Sequence, residues 1–519
     1  MKIQIGLLKE SAAWEQVCSQ EGIPSDVVKP GNPRLIDDYS VVVINRSLDS
    51  NERAAITRYL NDGGAVIGFA PFLSELASAP SRKERLEYLV GDQRSGMFDI
   101  ALLDVAVEGH VPKEANVLRT GENTFGMFAG ELLGGAAILL PFDPVDLLTD
   151  VRSANKRFYA ARERLPAERV SLVAKGELRH LLHRCFEYLH HVRKIPYIHI
   201  WYYPGGKKSV FAFRVDTDAG ERWEIDALYD VAKETGVGFS WFLDVRAHEQ
   251  WLSHFLYMAG QETGIHCYEH QVFLTKEANL KNITKARRLV EGAGLPSEGF
   301  AAPFGMWNIG LAEAIDEAGF AFSSEFSFAY DSLPMYPEAL GIVYHTLQIP
   351  VHPVSIGSLR RVGYTEKQMQ DYYAAVIDRK LSRGEPLFFY THPTHHSWET
   401  VRFLIRYVRE REIESATFGE VARWWKRRSL SKCVADAGTS SAAVSLQPVG
   451  NNADDLWLRV SRAPGVEALV PYASTLDFES IPWVPMGLSG PPADIRRTRE
   501  FDPRSLVGDI YTEMMRKFK

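Results

Sequence analysis

An apolar run that ends in two acidic residues lies near the middle of the chain and limits the local fold more than any other segment. The letters F-A-F-R-V-D-T-D-A-G predict a buried strand over 209–215, followed by Asp216 and Asp218. Side chains two residues apart on a strand point to the same side, so the two carboxylates are predicted to project together. Aspartate is also common in turns and helix caps, so this pair alone does not define a site.

A second segment, G-I-H-C-Y-E-H, brings two histidines to a comparable position beside glycine. His266 and His270 lie on one face if the segment is a helix or a tight turn. Two imidazoles and one carboxylate form a ligand set that holds a divalent ion and leaves positions open for water and substrate. The other aspartate is then free to act as a base.

Two later segments complete an ordered series of motifs, G-F-A-A-P-F-G-M-W-N over 299–308 and P-L-F-F-Y-T-H-P-T-H-H over 386–396. With them the chain resembles the polysaccharide deacetylase superfamily, metal-dependent carbohydrate esterases built on a distorted (β/α) barrel. The family motifs T-F-D-D-G, H-[S/T]-x-x-H, R-x-P-[F/Y]-G and L-x-L-x-H have the counterparts V-D-T-D-A-G, H-C-Y-E-H, A-A-P-F-G and F-F-Y-T-H. The match in order and spacing extends over residues 205–425.

The resemblance implies a role for each matched residue. Asp216 matches the catalytic base and His392 the general acid, while the metal ligands are matched by Asp218, His266 and His270. The cofactor implied is a divalent metal, Zn²⁺ before other transition metals, which activates water and polarises the carbonyl. The backbone N–H of Phe304 or Gly305 is a candidate donor to the oxyanion.

The chain departs from the family pattern in three places. Thr217 separates the two aspartates, a spacing associated with allantoinase-like and other atypical amidohydrolases, and Cys267 replaces a serine or threonine. The arginine that pairs with the base is replaced by Ala301. Arg214 is the nearest cation in sequence and, on a strand, would point the same way as Asp216. Without a substitute cation, the site is expected to be slow or to bind without turnover.

Further residues, in these motifs or in the segment between them, are substrate-binding candidates. An exposed indole at Trp307 could stack on a sugar ring, although core packing is an equal alternative, and His352 could contact substrate or be a satisfied core histidine. His395 and His396 extend the last motif, and one of them is expected to orient the general acid. The predicted substrate-binding set is Pro303, Phe304, Gly305, Trp307, Asn308 and His352.

Composition narrows the class of protein and of partner. The 519 residues suggest two to four domains, and 45% hydrophobic with 24% charged residues is ordinary for a globular protein. A net charge of −7 without a basic stripe argues against nucleic-acid binding. No signal peptide or membrane span is apparent, so a cytoplasmic location is expected. Four widely spaced cysteines do not predict disulfides or a cysteine zinc site, and a homo-oligomer is left open.

The first 150 residues alternate between strand and helix patterns. Strands are predicted at 3–8, 41–45 and 65–70, and helices at 12–21 and 50–62, which indicates a parallel, doubly wound, flavodoxin-like sheet. The run Y-L-N-D-G-G-A-V-I-G-F-A resembles class I glutamine amidotransferase-like domains. Phe69, Ala70 and Pro71 stand where their nucleophilic cysteine is expected, so this domain is predicted to be a scaffold, a regulator or an assembly unit.

The remaining chain divides into three parts. Residues 151–204 are predicted as a helical bridge with a helix over 170–193 and a strand over 197–203, and residues 205–428 as the barrel. Residues 429–519 are predicted as a small β-rich module with a final helix from about Ser505.

These patterns favour an α/β, metal-dependent hydrolase that removes an acetyl group from, or cleaves an amide of, a carbohydrate or glycan precursor. Two alternatives remain open. One is a catalytically weak glycan-binding protein on the same barrel, which Ala301 favours. The other is a cyclic amide hydrolase of the allantoinase type, with a smaller substrate.

Overall fold

The computed structural model describes residues 1–77, 80–91, 96–121, 124–438, 440–447, 455–485 and 498. The predicted final helix from Ser505 lies outside these residues. None of the helices in the described part of the chain combines the length and the apolar character needed to cross a bilayer.

A seven-stranded sheet organises the N-terminal part. The strands of this part are β1 (Lys2–Ile3), β2 (Ile5–Leu7), β3 (Ser25–Val27), β4 (Val41–Ile44), β5 (Ala65–Phe69), β6 (Ser81–Leu89), β7 (Leu103–Pro112), β8 (Val117–Arg119), β9 (Phe125–Leu132) and β10 (Gly135–Leu140). The helices are α1 (Ala12–Glu21), α2 (Leu35–Asp38), α3 (Ser50–Asn61), α4 (Ala70–Ala77) and α5 (Pro144–Leu148). The sheet order is β3-β2-β4-β5-β10-β9-β8, and its first five strands are parallel.

The predicted alternation of strand and helix is therefore confirmed for the parallel strands, and α1 has the predicted bounds. The antiparallel hairpin of β6 and β7, and the antiparallel strands β8 and β9, were not predicted. Strand β5 passes directly into α4 at Ala70, where the sequence lacks the nucleophile.

The segment between the larger parts contains β11 (Ser153–Arg157), β12 (Ala167–Ser171), α6 (Lys175–Val192) and β13 (Tyr197–Ile200). The predicted helix thus begins later than expected, because its first residues form the antiparallel hairpin of β11 and β12. Helix α6 is buried on several sides. Its Arg179 pairs with Glu21 of α1, and its Arg184 pairs with Asp99.

A second seven-stranded sheet carries the four ordered motifs. Its strands, with a separate small hairpin, are β14 (Phe211–Asp216), β15 (Ser240–Leu243), β16 (Glu262–Ile265), β17 (Gly299–Ala301), β18 (Phe322–Ser324), β19 (Glu338–Ala339), β20 (Ile342–Val343), β21 (Leu347–Gln348) and β22 (Leu387–Thr391). The helices are α7 (Arg222–Thr235), α8 (Val245–His248), α9 (Lys276–Gly292), α10 (Ile309–Ala318), α11 (Ile356–Arg361), α12 (Glu366–Ser382), α13 (Trp398–Arg409) and α14 (Phe418–Ser429).

This sheet is entirely parallel, in the order β21-β18-β17-β16-β15-β14-β22. It curls into a half-barrel, and among the described residues its edge strands β21 and β22 do not pair with each other. Its strands β14, β15, β17, β18 and β22 are buried along their whole length, as expected for strands covered by helices on the outer face. All carboxyl ends meet at one edge, which is where α/β sheets form their sites.

The C-terminal strands are β23 (Lys432–Ala437), β24 (Ser441–Gln447), β25 (Trp457–Ala463), β26 (Val466–Pro471), β27 (Thr475–Asp477) and β28 (Val484–Pro485). They form two four-stranded sheets, in the orders β1-β23-β24-β27 and β13-β25-β26-β28. The β-rich composition was predicted, but the module is not contiguous in the chain. The first strand of the protein and the strand after α6 each complete one of its sheets.

Candidate metal-dependent active site

A buried ion pair lies at the end of β14. Arg214 Nη2 is 2.6 Å from Asp216 Oδ2, and the side chains are 0% and 3% exposed. The guanidinium also donates to the backbone and hydroxyl oxygens of Ser324 and lies over the ring of Tyr390, its neighbour on β22. Side chains two residues apart on a strand point to the same side, so Arg214 places a cation beside Asp216 although position 301 is an alanine.

The turn after β14 directs Asp218 differently from a strand residue. Thr217 fixes this turn, because its hydroxyl donates to the Phe242 carbonyl and accepts from the amide of Asp244. Asp218 then adopts a φ of 43°, in the left-handed region that non-glycine residues seldom occupy. The two aspartates are therefore held in different ways, one by an ion pair and one by a strained turn.

The two histidines follow β16 in a turn and not in a helix. Cys267 reverses the chain between them with a φ of 68°, which brings His266 Nε2 within 3.1 Å of His270 Nε2. The other ring nitrogen of His266, Nδ1, is 2.7 Å from the carbonyl of Ala301. An Nδ1–H donor to that carbonyl leaves the Nε2 lone pair directed at its neighbour.

Three potential ligand atoms converge in a way that fits a divalent cation. Asp218 Oδ1 is 3.4 Å from His266 Nε2 and 3.1 Å from His270 Nε2. Ligands about 2.0–2.1 Å from a tetrahedral ion lie about 3.4 Å from one another, so the spacing matches such a site. Asp218 Oδ1 is buried and accepts no hydrogen bond in the described structure, which a cation would remedy.

The final motif places His392 on the opposite side of Asp218, with Nε2 3.5 Å from Oδ2. The ring of His395 lies against it at 4.6 Å, but no hydrogen bond joins the two rings in the described residues. His396 is nearer the surface and bonds Glu224. His395 therefore supports His392 by contact, and the expected orienting hydrogen bond is not formed.

The segment after β17 lines the cleft with a strained residue. Phe304 has a φ of 59°, is 42% exposed, and lies 4.9 Å from the ring of His270. The amide of Gly305 donates to the Ala302 carbonyl, so it is already engaged and is a poor oxyanion donor. Pro303 is buried and begins the turn.

Three predicted substrate-binding residues lie outside the cleft lining and make other contacts. Trp307 is 7% exposed and packs 4.5 Å from the ring of Phe328, because it belongs to a small apolar cluster behind the turn. Asn308 caps α10 by accepting from the Leu311 amide. His352 is buried between partners for both ring nitrogens, Asp331 and the Tyr372 hydroxyl, and is a satisfied core histidine.

The cleft has a volume of about 70 Å³ and joins the predicted residues with others that the motifs did not indicate. The predicted members of its lining are Asp216, Asp218, His270, Phe304, Gly305, His392 and His395. The additional members are Glu168, Phe326, Ser355, Arg361 and Tyr390. Apart from Tyr390, two residues before His392, they come from segments outside the four motifs, so only the folded chain brings them together.

Four residues with a strained backbone lie at or beside this cleft. Asp218, Cys267, Phe304 and His396 all have a left-handed φ, between 43° and 68°. Such conformations cost about 1–3 kcal/mol each and persist where the surrounding structure imposes them.

The charged groups of the cleft shift one another's protonation. Burial raises the pKa of Asp218, but the imidazoles of His392, His266 and His270 lower it more strongly, and the net pKa lies well below the usual range. Burial is the main reason why the pKa of His395 falls to about 2, with His392 adding to the effect. Asp218 is therefore ionised and His395 neutral at physiological pH.

No family model matches this chain, and no curated protein matches it. Solved structures do show similarity. A Mycobacterium smegmatis protein assigned as a polysaccharide deacetylase is 18% identical with a TM-score of 0.39, over 44% of this chain and 93% of that chain. A carbohydrate esterase family 4 pseudoenzyme of Bacillus anthracis is 18% identical with a TM-score of 0.32, over 42% and 66%. A family 4 carbohydrate esterase of Streptomyces lividans in complex with acetate is 12% identical with a TM-score of 0.30, over 40% and 93%.

Proposed function

We propose that this protein is a metal-dependent hydrolase that removes a small acyl group from an amide-bearing carbohydrate or glycan precursor. The observation that carries this proposal is the convergence of three ligand atoms of Asp218, His266 and His270 in the cleft lined by Asp216 and His392. Two imidazoles and one carboxylate suit Zn²⁺ and leave coordination positions open.

Each cleft residue has a distinct part in this proposal. A bound divalent cation supplies Lewis acidity toward the acyl carbonyl. Asp216 Oδ1 accepts no hydrogen bond in the described structure, so it is available to take the proton of an attacking water. Arg214 holds the other oxygen of that carboxylate. His392, when protonated, donates to the departing nitrogen, so the amine leaves neutral.

The cleft can hold a small acyl group. About 10–15 Å³ is needed to hold one water molecule, so a cleft of about 70 Å³ accommodates an acetyl or formyl group. The cleft is open to solvent, so the rest of a substrate can extend outward. A sugar ring would remain outside, near the exposed ring of Phe304.

The same small volume also suits a cyclic amide, which makes a cyclic amide hydrolase the second candidate. The alternative of a catalytically weak binding protein rests mainly on Ala301. The ion pair of Arg214 with Asp216 weakens that argument. For residues 1–150 we propose a scaffold role, since β5 and α4 meet without a nucleophile.

Metal analysis and product analysis test the proposal together. Purified protein is expected to contain about one zinc per chain, and Asp218→Ala should lose it. Asp230→Ala is a matched control, because Asp230 lies on the exposed face of α7 and its one ion pair among the described residues is with Lys233. Asp216→Asn should keep the metal and abolish acetate release from N-acetylated amino sugars. Ring-opened product from a cyclic amide, without acetate release, would select the second candidate, and metal that survives Asp218→Ala would refute the ligand assignment.

A further inference from the structure

One wall of the cleft carries a permanent positive charge that the proposed hydrolysis does not use. Arg361, at the end of α11, lines the cleft together with Asp216 and His392. Its side chain is exposed. Within the described part of the chain, its guanidinium forms no hydrogen bond or ion pair.

Helix α11 is fixed against the cleft, so the position of Arg361 is not arbitrary. Gly357 allows His395 to pack directly on the helix, since a Cβ there would lie 2.1 Å from the ring. The neighbouring Arg360 donates to the carbonyl of His396. Both contacts attach the helix to the loop that carries His392.

The other ionisable groups around Arg361 are hydrogen-bonded, paired or uncharged. Glu168, on the same wall, accepts a hydrogen bond from the hydroxyl of Ser358. His395 is neutral, and Arg214 is committed to Asp216. Arg361 is thus the one guanidinium that the described lining of the cleft offers to a ligand.

We infer that Arg361 selects substrates that carry an oxyanion, a carboxylate or a phosphate, next to the acyl-amide group. This inference rests on the proposed function for the identity of the site. A guanidinium binds such groups through two parallel N–H donors, which gives orientation as well as attraction. The substrate class is therefore an N-acylated amino sugar with an acidic substituent, and not a neutral polymer.

Binding of deacylated sugars tests the inference without any dependence on turnover. The probes are glucosamine, glucosamine 6-phosphate and muramic acid, which share the amine and differ in the anionic group. Affinities are measured by titration calorimetry on the metal-loaded protein. We expect wild type to prefer at least one anionic probe by about tenfold or more, as for a charge-assisted hydrogen bond. The preferred probe distinguishes a phosphate from a carboxylate.

Three variants assign the preference to one side chain. Arg361→Gln should remove most of the preference and change the affinity for glucosamine less than about twofold, while Arg361→Lys should restore part of it. Arg288→Gln is the control, because Arg288 is an exposed arginine on α9 outside the cleft lining. A preference unchanged by Arg361→Gln, as expected if the anion binds the metal, overturns the inference, and so does the absence of preference in wild type.

The two proposals can fail separately. A protein whose anion preference depends on Arg361 but which releases no acyl group contradicts the proposed function alone. A protein that deacetylates neutral and anionic sugars equally contradicts the inference alone.

Discussion

The buried pair of Arg214 and Asp216 makes a sharp prediction about stability and turnover. Replacing Arg214 by methionine keeps an unbranched apolar stem but leaves a carboxylate that is 3% exposed without its cation. Removing one partner of a buried ion pair costs about 3–5 kcal/mol. We expect the free energy of unfolding to fall by about this amount, since the lost N–O contact is only 2.6 Å long.

The turnover of the molecules that remain folded should fall as well. Arg214 orients Asp216 so that one carboxylate oxygen is held and the other faces the cleft. Loss of a general base typically lowers the rate by about 10²–10⁴-fold, and we expect Arg214→Met to approach this range. Metal content should be retained, because Arg214 does not contact the ligand atoms of Asp218, His266 or His270 in the described structure.

Urea unfolding, metal analysis and acetate release provide the three measurements, and Arg428→Met is the matched control. Arg428 is 1% exposed and donates to backbone carbonyls far from the cleft, among them those of Ser19 and Trp201. Its loss should destabilise the fold without altering turnover per folded molecule. The role of Arg214 in orienting Asp216 is refuted if Arg214→Met is as active, per folded molecule, as Arg428→Met.

Two further predictions concern residues outside the proposed chemistry. Trp307→Ala should lower the free energy of unfolding by about 3–5 kcal/mol, because a buried indole is lost, and leave acetate release per folded molecule unchanged. A loss of substrate affinity without loss of stability would show instead that Trp307 contacts the substrate. Burial raises the pKa of the Asp99 carboxyl, but His180, Arg184 and Arg383 lower it more strongly and hold it well below the usual range. Its contribution to stability is therefore present above about pH 4 and is lost as the pH falls further. Asp99→Asn should reduce stability at pH 7 and flatten the decline of the unfolding midpoint between pH 5 and pH 3, as followed by circular dichroism; an unaltered decline would contradict this assignment.

The sequence predicts which side chains meet at one edge of the half-barrel, because the information there is local. Parallel strands bring their carboxyl ends together, so a chemically distinctive residue after each apolar run is enough to indicate a shared site. This applies to Asp216, which ends β14, and to His266 and His392, which follow β16 and β22. The same principle cannot place Arg361, because the end of α11 carries no pattern that indicates which cavity it faces.

Burial is what sequence patterns resolve least. The motif segment that contains Trp307 and Asn308 continues past the cleft into an apolar cluster and a helix cap. No sequence pattern marks where the segment leaves the cleft. His352 is similar, since its partners Asp331 and Tyr372 lie on other segments. Strands β1 and β13 show the same limit, because a strand pattern does not name the sheet it joins.

The position of the cation explains why Ala301 need not weaken the site. Arg214 lies on the same strand as Asp216, so the strand itself sets their separation. The guanidinium donates to Ser324, which is the register partner of Ala301 on the adjacent strand β18. Ala301 is 0% exposed and belongs to the same core cluster as Tyr390, whose ring lies under the Arg214 guanidinium. The carbonyl of Ala301 orients His266, so this position still serves the site through its backbone.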